Sequence, residues 1–233
     1  MRLSYTIATL AAFGLATGCV NEQEQQAAVE LQKHFSAQDC RIGHGFSADT
    51  GKGSKKTVTL TLEGVADFDQ YRNKEYITSI SALKYYQGQN ATALEGYEEI
   101  EVKATSGSGS FEMSYPIEDM ASVAPALEVV GKYFELLKQS NEADLPDLVD
   151  SVRISDSTMT RIIQEMQMLD SLNGVHDHAT VLGFRFKRTT DKNEPVLVCW
   201  TEAINGGNNA TNFQFYVNRE SRKVIYIGVN DFE

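Results

Sequence analysis

The stretch TVTLTLEG, residues 57–64, alternates threonine with valine and leucine, and this period of two decides how the chain is read. Successive strand side chains point to opposite sides, so Val58, Leu60 and Leu62 are expected on a buried face and Thr57, Thr59 and Thr61 on a wetted one. Such alternation belongs to a half-buried antiparallel strand. On its N-terminal side, CRIGHGF (40–46) predicts a first strand, and Ala28, Leu31 and Phe35 recur at helical spacing across residues 25–36. On its C-terminal side, a helix is predicted from about Asp67 to Gln87, with Tyr76, Ile80 and Leu83 on one face and Gly88 as its C-cap. EIEVKA (99–104) and FEMSY (111–115) then alternate about a flexible SGSGS turn. The element order of this half is α-β-β-α-β-β.

A boundary is expected near Pro116, because proline disfavours helix at the residue before it and is tolerated in a first helical turn. Pro125 is expected to open the next helix, with Leu127, Val130, Phe134 and Leu137 as its apolar stripe. After the broken stretch 140–150, Ser155 caps a second helix whose buried side carries Met159, Ile162, Ile163, Met166 and Leu169, and Gly174 ends it. Four strands follow, TVLGFRFKR (180–188), PVLVCWTEAI (195–204), TNFQFYVN (211–218) and KVIYIGVN (223–230), separated by turn-forming residues. The predicted fold class is therefore α+β, with domains at 25–117 and 118–233. Helices followed by a four-stranded meander resemble the cystatin-like and nuclear-transport-factor-like folds over residues 118–233. That resemblance implies a curved sheet around a long helix and rests on element order. The Gln-x-Val-x-Gly run with which cystatins block papain-like proteases is missing from the sequence, so the likeness carries no protease inhibition.

The N-terminus speaks to location. Arg2 precedes an apolar run from Leu3 to Leu15, too short for a membrane span and suited to a secretory signal. The run ends in Ala16-Thr17-Gly18-Cys19, which resembles the lipobox of bacterial lipoproteins, with Ala16 where that pattern prefers leucine and Leu15 one place early. The resemblance implies cleavage after Gly18 and lipid on Cys19, leaving residues 19–24 as a tether that overlaps the hydrated run NEQEQQ (21–26). Several acyl chains at roughly 0.8 kcal/mol per buried methylene hold a protein at the bilayer. Acidic residues just after the cysteine also resemble the surface-export signals of Bacteroidetes-type lipoproteins, so the expected location is the cell envelope, facing the periplasm or the cell surface. The alternative is an ordinary signal peptide with Cys19 as a thiol.

Loss of residues 1–18 removes Arg2 alone among the charges, leaving 20 basic against 32 acidic residues, a net charge of −12. Such a surface repels phosphate backbones, so nucleic acid is not an expected partner. Cys40 and Cys199 are the other cysteines; a bridge is permitted in an oxidising compartment, but Cys199 sits in an apolar strand pattern as a buried thiol would.

Few residues suggest chemistry. His176 and His178 in VHDHAT stand two apart, so a strand would send both to one side and Asp177 to the other; they are weak candidates for a ligand or a metal. A zinc site needs three or four ligands, and no third is identifiable, so no metal or other cofactor is expected. His34, Cys40 and His44 match no ligand spacing, and Gly43 and Gly45 read as sites of close backbone packing. GKGSKK (51–56) lacks phosphate-loop spacing. Phe184, Phe186, Trp200, Phe213, Phe215, Tyr216 and Tyr226 are read as core, with a pocket inside a curved sheet as the alternative. The leading expectation is a non-catalytic envelope lipoprotein that binds a protein or polymer partner, without assigned catalytic residues. The alternatives are a small-ligand carrier with a cone-shaped pocket and a hydrolase or isomerase centred on His176 or His178.

Overall fold

The structure is a computed structural model that describes residues 21–49, 53–71, 73–90, 92–138, 142–173, 176–205 and 210–229. Cys19 and the expected signal segment lie outside the described residues. The fold is α+β, with two four-stranded sheets, β1-β2-β3-β4 and β5-β6-β7-β8, that share no strand pairing.

Helix α1 (Glu22–His34) leads into β1 (Asp39–Asp49), which pairs antiparallel with β2 (Gly53–Glu63). Helix α2 (Glu75–Gly88) crosses to β3 (Glu99–Ser106), so β2 and β3 run parallel, and β4 (Gly109–Pro116) closes the sheet antiparallel to β3. The first sheet is thus mixed, not wholly antiparallel as the alternation of TVTLTLEG alone suggested. The buried face is as expected: Val58, Leu60, Leu62, Ile100, Val102 and Ala104 are all sealed in the core. The run NEQEQQ, expected as a tether, instead holds the cap and first turn of α1. Asn21 Oδ1 accepts the Glu24 N–H at 2.9 Å, and the Glu24 carboxylate returns to the Asn21 N–H at 3.1 Å, a reciprocal capping box.

Helix α2 starts about eight residues later than the periodicity indicated. Asp67 adopts a left-handed backbone (φ 53°), residues 68–70 form a 3₁₀ turn, and the Asn73 side chain accepts the Glu75 N–H at 2.9 Å to open the helix. It is also buried on more than one side, including Thr78, Ser79 and Ser81. These hydroxyls tolerate the interior because they bond the turn before them, Ser79 to the Glu75 carbonyl at 2.5 Å and Ser81 to the Ile77 carbonyl at 2.6 Å. Thr78 also meets the Tyr115 hydroxyl at 2.8 Å.

The second sheet follows α3 (Ile117–Met120), α4 (Val123–Lys138), a 3₁₀ segment (Glu142–Leu148) and α5 (Asp156–Asn173), which opens with Ser155 Oγ accepting the Thr158 N–H at 3.3 Å. Strands β5 (His176–Arg188), β6 (Pro195–Asn205), β7 (Ala210–Asn218) and β8 (Val224–Val229) form the expected antiparallel meander. Tyr133 and Phe134 of α4 pack edge-on against Phe213 and Phe215, with centroids 5.2–5.5 Å apart. The aromatic set divides between two faces. Phe184, Phe213 and Phe215 fill the core, with Phe186 packed against it, whereas Trp200 joins Val196, Val198 and Ile225 in a second apolar cluster.

One contiguous apolar core runs through both halves, joined where α2 lies against β5. At that junction β5 carries an extra residue between Val181 and Gly183. The Phe184 N–H donates to Ser79 Oγ at 3.1 Å, and Arg185 clasps Glu75 through Nε at 2.8 Å and also through Nη2. The β5 edge is thereby covered by a helix, a standard protection for exposed strand backbone. The Arg185 guanidinium also lies 5.1 Å from the Trp200 ring centroid.

Arg185→Met leaves the Glu75 carboxylate buried and unpaired. With the Arg185 side chain 34% exposed, the expected cost is discounted from that of a fully buried pair to about 2 kcal/mol. Urea unfolding followed by the lone tryptophan would show it, and adding Glu75→Met should recover part of the loss; additive losses would contradict the pairing.

Candidate functional site

The N-terminus of α1, the middle of β1 and the C-terminal end of α2 meet around one carboxylate. Glu24 is 3% exposed, and its oxygens accept the Asn21 N–H, the Tyr85 hydroxyl at 3.1 Å and His44 Nε2 at 3.0 Å. A carboxylate only accepts, so His44 donates from Nε2. Its Nδ1 is closed to solvent and has no partner. The Tyr97 ring lies 5.2 Å from the His44 ring, tilted 44°. Burial pushes the Tyr85 phenol far above its ordinary value, and the charge and hydrogen bond of Glu24 push it further.

A carboxylate-oriented imidazole can serve as a general base. Cys40 shares the inward face of β1 with His44 but stands four residues away, roughly 13 Å along a strand. Burial, with Asp39 adding, pushes its thiol up to about 11. His34 instead meets the Tyr76 hydroxyl at 3.2 Å, and burial, with Lys84 adding, lowers its pKa. His34, Cys40 and His44 therefore do not converge. Cys199 is buried in the second sheet and its thiol is pushed up to about 12 by burial; both it and Cys40 are free.

His176 and His178 open β5 opposite Asn205 and Ile204, with a register shift between them that interrupts the simple alternation expected there. Their side chains lie outside the described residues. Among the described residues, no three His, Cys, Asp or Glu side chains gather as a metal site, and no helix is long and apolar enough to cross a membrane. Two buried hydroxyls, Tyr133 and Thr201, lack partners.

The opposite side of the first sheet is a second candidate surface. Its cross-strand rows read Gly45–Thr57–Glu99–Pro116, Gly43–Thr59–Glu101–Ser114 and Arg41–Thr61–Lys103–Glu112. A Cβ at Gly43 would meet nothing within 4 Å, so this face is shallow beside a threonine row and carboxylates. Among the described residues, no backbone hydrogen bond outside the ladders involves β1 or β4. By contrast, the β8 edge receives a bridge from Val149 and the Asp150 N–H at 2.8 Å.

Glu101 is held above the usual carboxylate range, first by a hydrogen bond shared with Glu112, then by burial and the charge of Glu112, against opposition from Lys103 and Thr59. A carboxyl whose folded pKa is raised binds its proton more tightly folded than unfolded. Its stabilising contribution is therefore present at low pH and lost as pH rises through the folded value. Glu101→Gln should gain stability relative to the parent as pH is raised from roughly 4 to 7, read from urea midpoints. A constant difference across that range would contradict the shared proton.

No family model matches this chain, and comparison with curated proteins and with solved structures finds no match.

Proposed function

We propose that the chain is a lipid-anchored envelope protein acting as a non-catalytic binding module, which engages a protein or polymer partner through the bare face and edges of its first sheet. The observation that carries this reading is the asymmetry of that sheet. One face is sealed by the apolar core under α1 and α2, while the other carries glycine, threonine and carboxylate rows, of which Thr57 is buried, and among the described residues β1 and β4 make no backbone hydrogen bond outside the ladders. Edge strands and polar rows suit main-chain pairing and side-chain hydrogen bonding with an extended partner. The lipobox-like Ala16-Thr17-Gly18-Cys19 and the −12 charge of the processed chain support an exported, membrane-held protein that avoids nucleic acid.

Photo-crosslinkers placed at Thr59 and Ser114 in native membranes should give a discrete adduct that the same group at exposed Val152 does not. Identical labelling at all three positions would remove the sheet face from consideration. For the anchor, Cys19→Ala should abolish a lipid-sized mass increase on a chain beginning at residue 19 and release the protein to the soluble fraction. A parent chain without lipid, cut elsewhere, would make the protein a soluble secreted one. The unpartnered Tyr133 and Thr201 hydroxyls favour a second reading, a carrier of a small polar molecule beneath α4. It requires a guest to co-purify and to be lost in Tyr133→Phe.

A further inference from the structure

The start of α1 and the tip of the β1–β2 hairpin lie at one end of the first half. From Glu24 to His34 the helix rises about 15 Å, and from Asp39 to His44 the strand returns about 16 Å. The 3.0 Å contact of Glu24 with His44 Nε2 therefore sets the start of α1 level with the middle of β1. Tyr85 of α2 also bonds Glu24, and Asn90 donates to Gln23 Oε1 at 3.3 Å, so that start is fixed in place. The hairpin continues past this level. β1 and β2 stay paired from His44–Val58 out to Asp49–Gly53, roughly 16 Å further. β3 pairs with β2 only over Thr57 to Leu62, so the last part of the hairpin is two strands wide.

Phe46 stands on this projection. Alternation puts it on the helix-covered side of β1 with Ile42 and His44, but it lies two residues beyond the level at which α1 begins, and it is 73% exposed. Opposite it is exposed Lys56, whose Nζ lies 5.7 Å from the Phe46 ring centroid. An aromatic ring beside a long side chain that keeps its charge in water suits the boundary between lipid headgroups and acyl chains.

The length of chain before α1 says what covers that ring. Cys19 precedes Asn21 by two residues, at most about 7 Å of chain. With lipid on Cys19, the bilayer surface passes within that reach of the start of α1, while the hairpin projects about twice as far from the same level. The spacer is too short to hold the bilayer clear of the hairpin. Charge narrows the kind of surface. Glu22, Glu95 and Glu98 are exposed at this end, Glu98 donating its N–H to the Lys56 carbonyl at 2.9 Å, so the contact is apolar and not an attraction to anionic lipid.

We infer that the β1–β2 hairpin is a second membrane contact, which seats the Phe46 ring among neutral phospholipid headgroups and orients the anchored chain on its bilayer. The inference rests on the lipid-anchored reading above. It uses the opposite side of the first sheet from Thr59 and Ser114 and leaves that face to a partner.

The test places a benzophenone-bearing residue at position 46 of the full chain in native-host membranes, with exposed Val152 as the control position, and reads adducts and the N-terminal lipid by mass. A phospholipid-sized adduct is expected at position 46 and not at 152. It should persist in about 1 M salt, which screens charges beyond about 3 Å. A lipidated chain that gives no such adduct at position 46, gives it equally at 152, captures a protein there instead, or loses it in salt overturns the hairpin contact alone. A chain without lipid overturns the anchor and the contact together, and the same mass spectrum tells the two failures apart.

Discussion

Gly183→Val is expected to lower the thermal midpoint by roughly 6–12 °C, equivalent to about 3 kcal/mol in a chain of this size. Gly183 has φ 138°, a backbone region that side-chain-bearing residues rarely adopt, so any substitution is strained. A Cβ there would also stand 3.0 Å from the Tyr76 backbone nitrogen and 3.1 Å from Ser79 Oγ. The helix cannot retreat without breaking the Phe184-to-Ser79 hydrogen bond and the Arg185–Glu75 clasp, which depend on the same approach. Differential scanning calorimetry of the variant beside the parent would measure the change. A midpoint within a degree or two of the parent would mean that α2 and β5 are not pressed together as described.

Glu24→Ala is expected to cost about 3 kcal/mol, because it strips the partner from the buried Tyr85 hydroxyl, from the partly buried His44 and from half of a capping box at once. The Tyr85 hydroxyl and His44 Nε2 would be left without an acceptor, and the Asn21 N–H would lose its side-chain partner. Glu24→Gln should fall between the two, since its amide keeps the shape but offers one oxygen in place of two. Tyr85→Phe removes one bond alone and should cost about 1 kcal/mol. Chemical denaturation of the three variants orders them. Equal stability of Glu24→Ala and the parent would show that the carboxylate does not organise this end of the fold.

Much of the fold was legible because it follows from local period. The threonine alternation of residues 57–62 and the spacing of Ile100, Val102 and Ala104 named the buried face of the first sheet correctly. The meander and the Ser155 cap were readable for the same reason. Periodicity places the start of helix α2 too early and makes it one-sided, whereas it opens at Glu75 and is buried on more than one side. Its buried Thr78, Ser79 and Ser81 look like surface residues in sequence, and only the presence of β5 on a second side makes them interior.

The candidate site was far less visible. Glu24 sat in a run that composition assigns to a hydrated tether, yet Asn21 with Glu24 three residues on is a capping-box spacing that could have been recognised. His44 stands between Gly43 and Gly45, and nothing in the sequence links it to residue 24, 85 or 97.

The sequence by itself determined the α+β class, the order of elements, the inward faces of the sheets and the acidic charge, because each depends on residues within one or two turns of one another. Only the tertiary structure decided the parallel pairing of β2 with β3, the burial of α2 between two sheets and the assembly of Glu24, His44 and Tyr85. Those outcomes depend on contacts between segments tens of residues apart, and the free energy of such contacts is set by which surfaces meet, which a local pattern of polar and apolar residues does not encode.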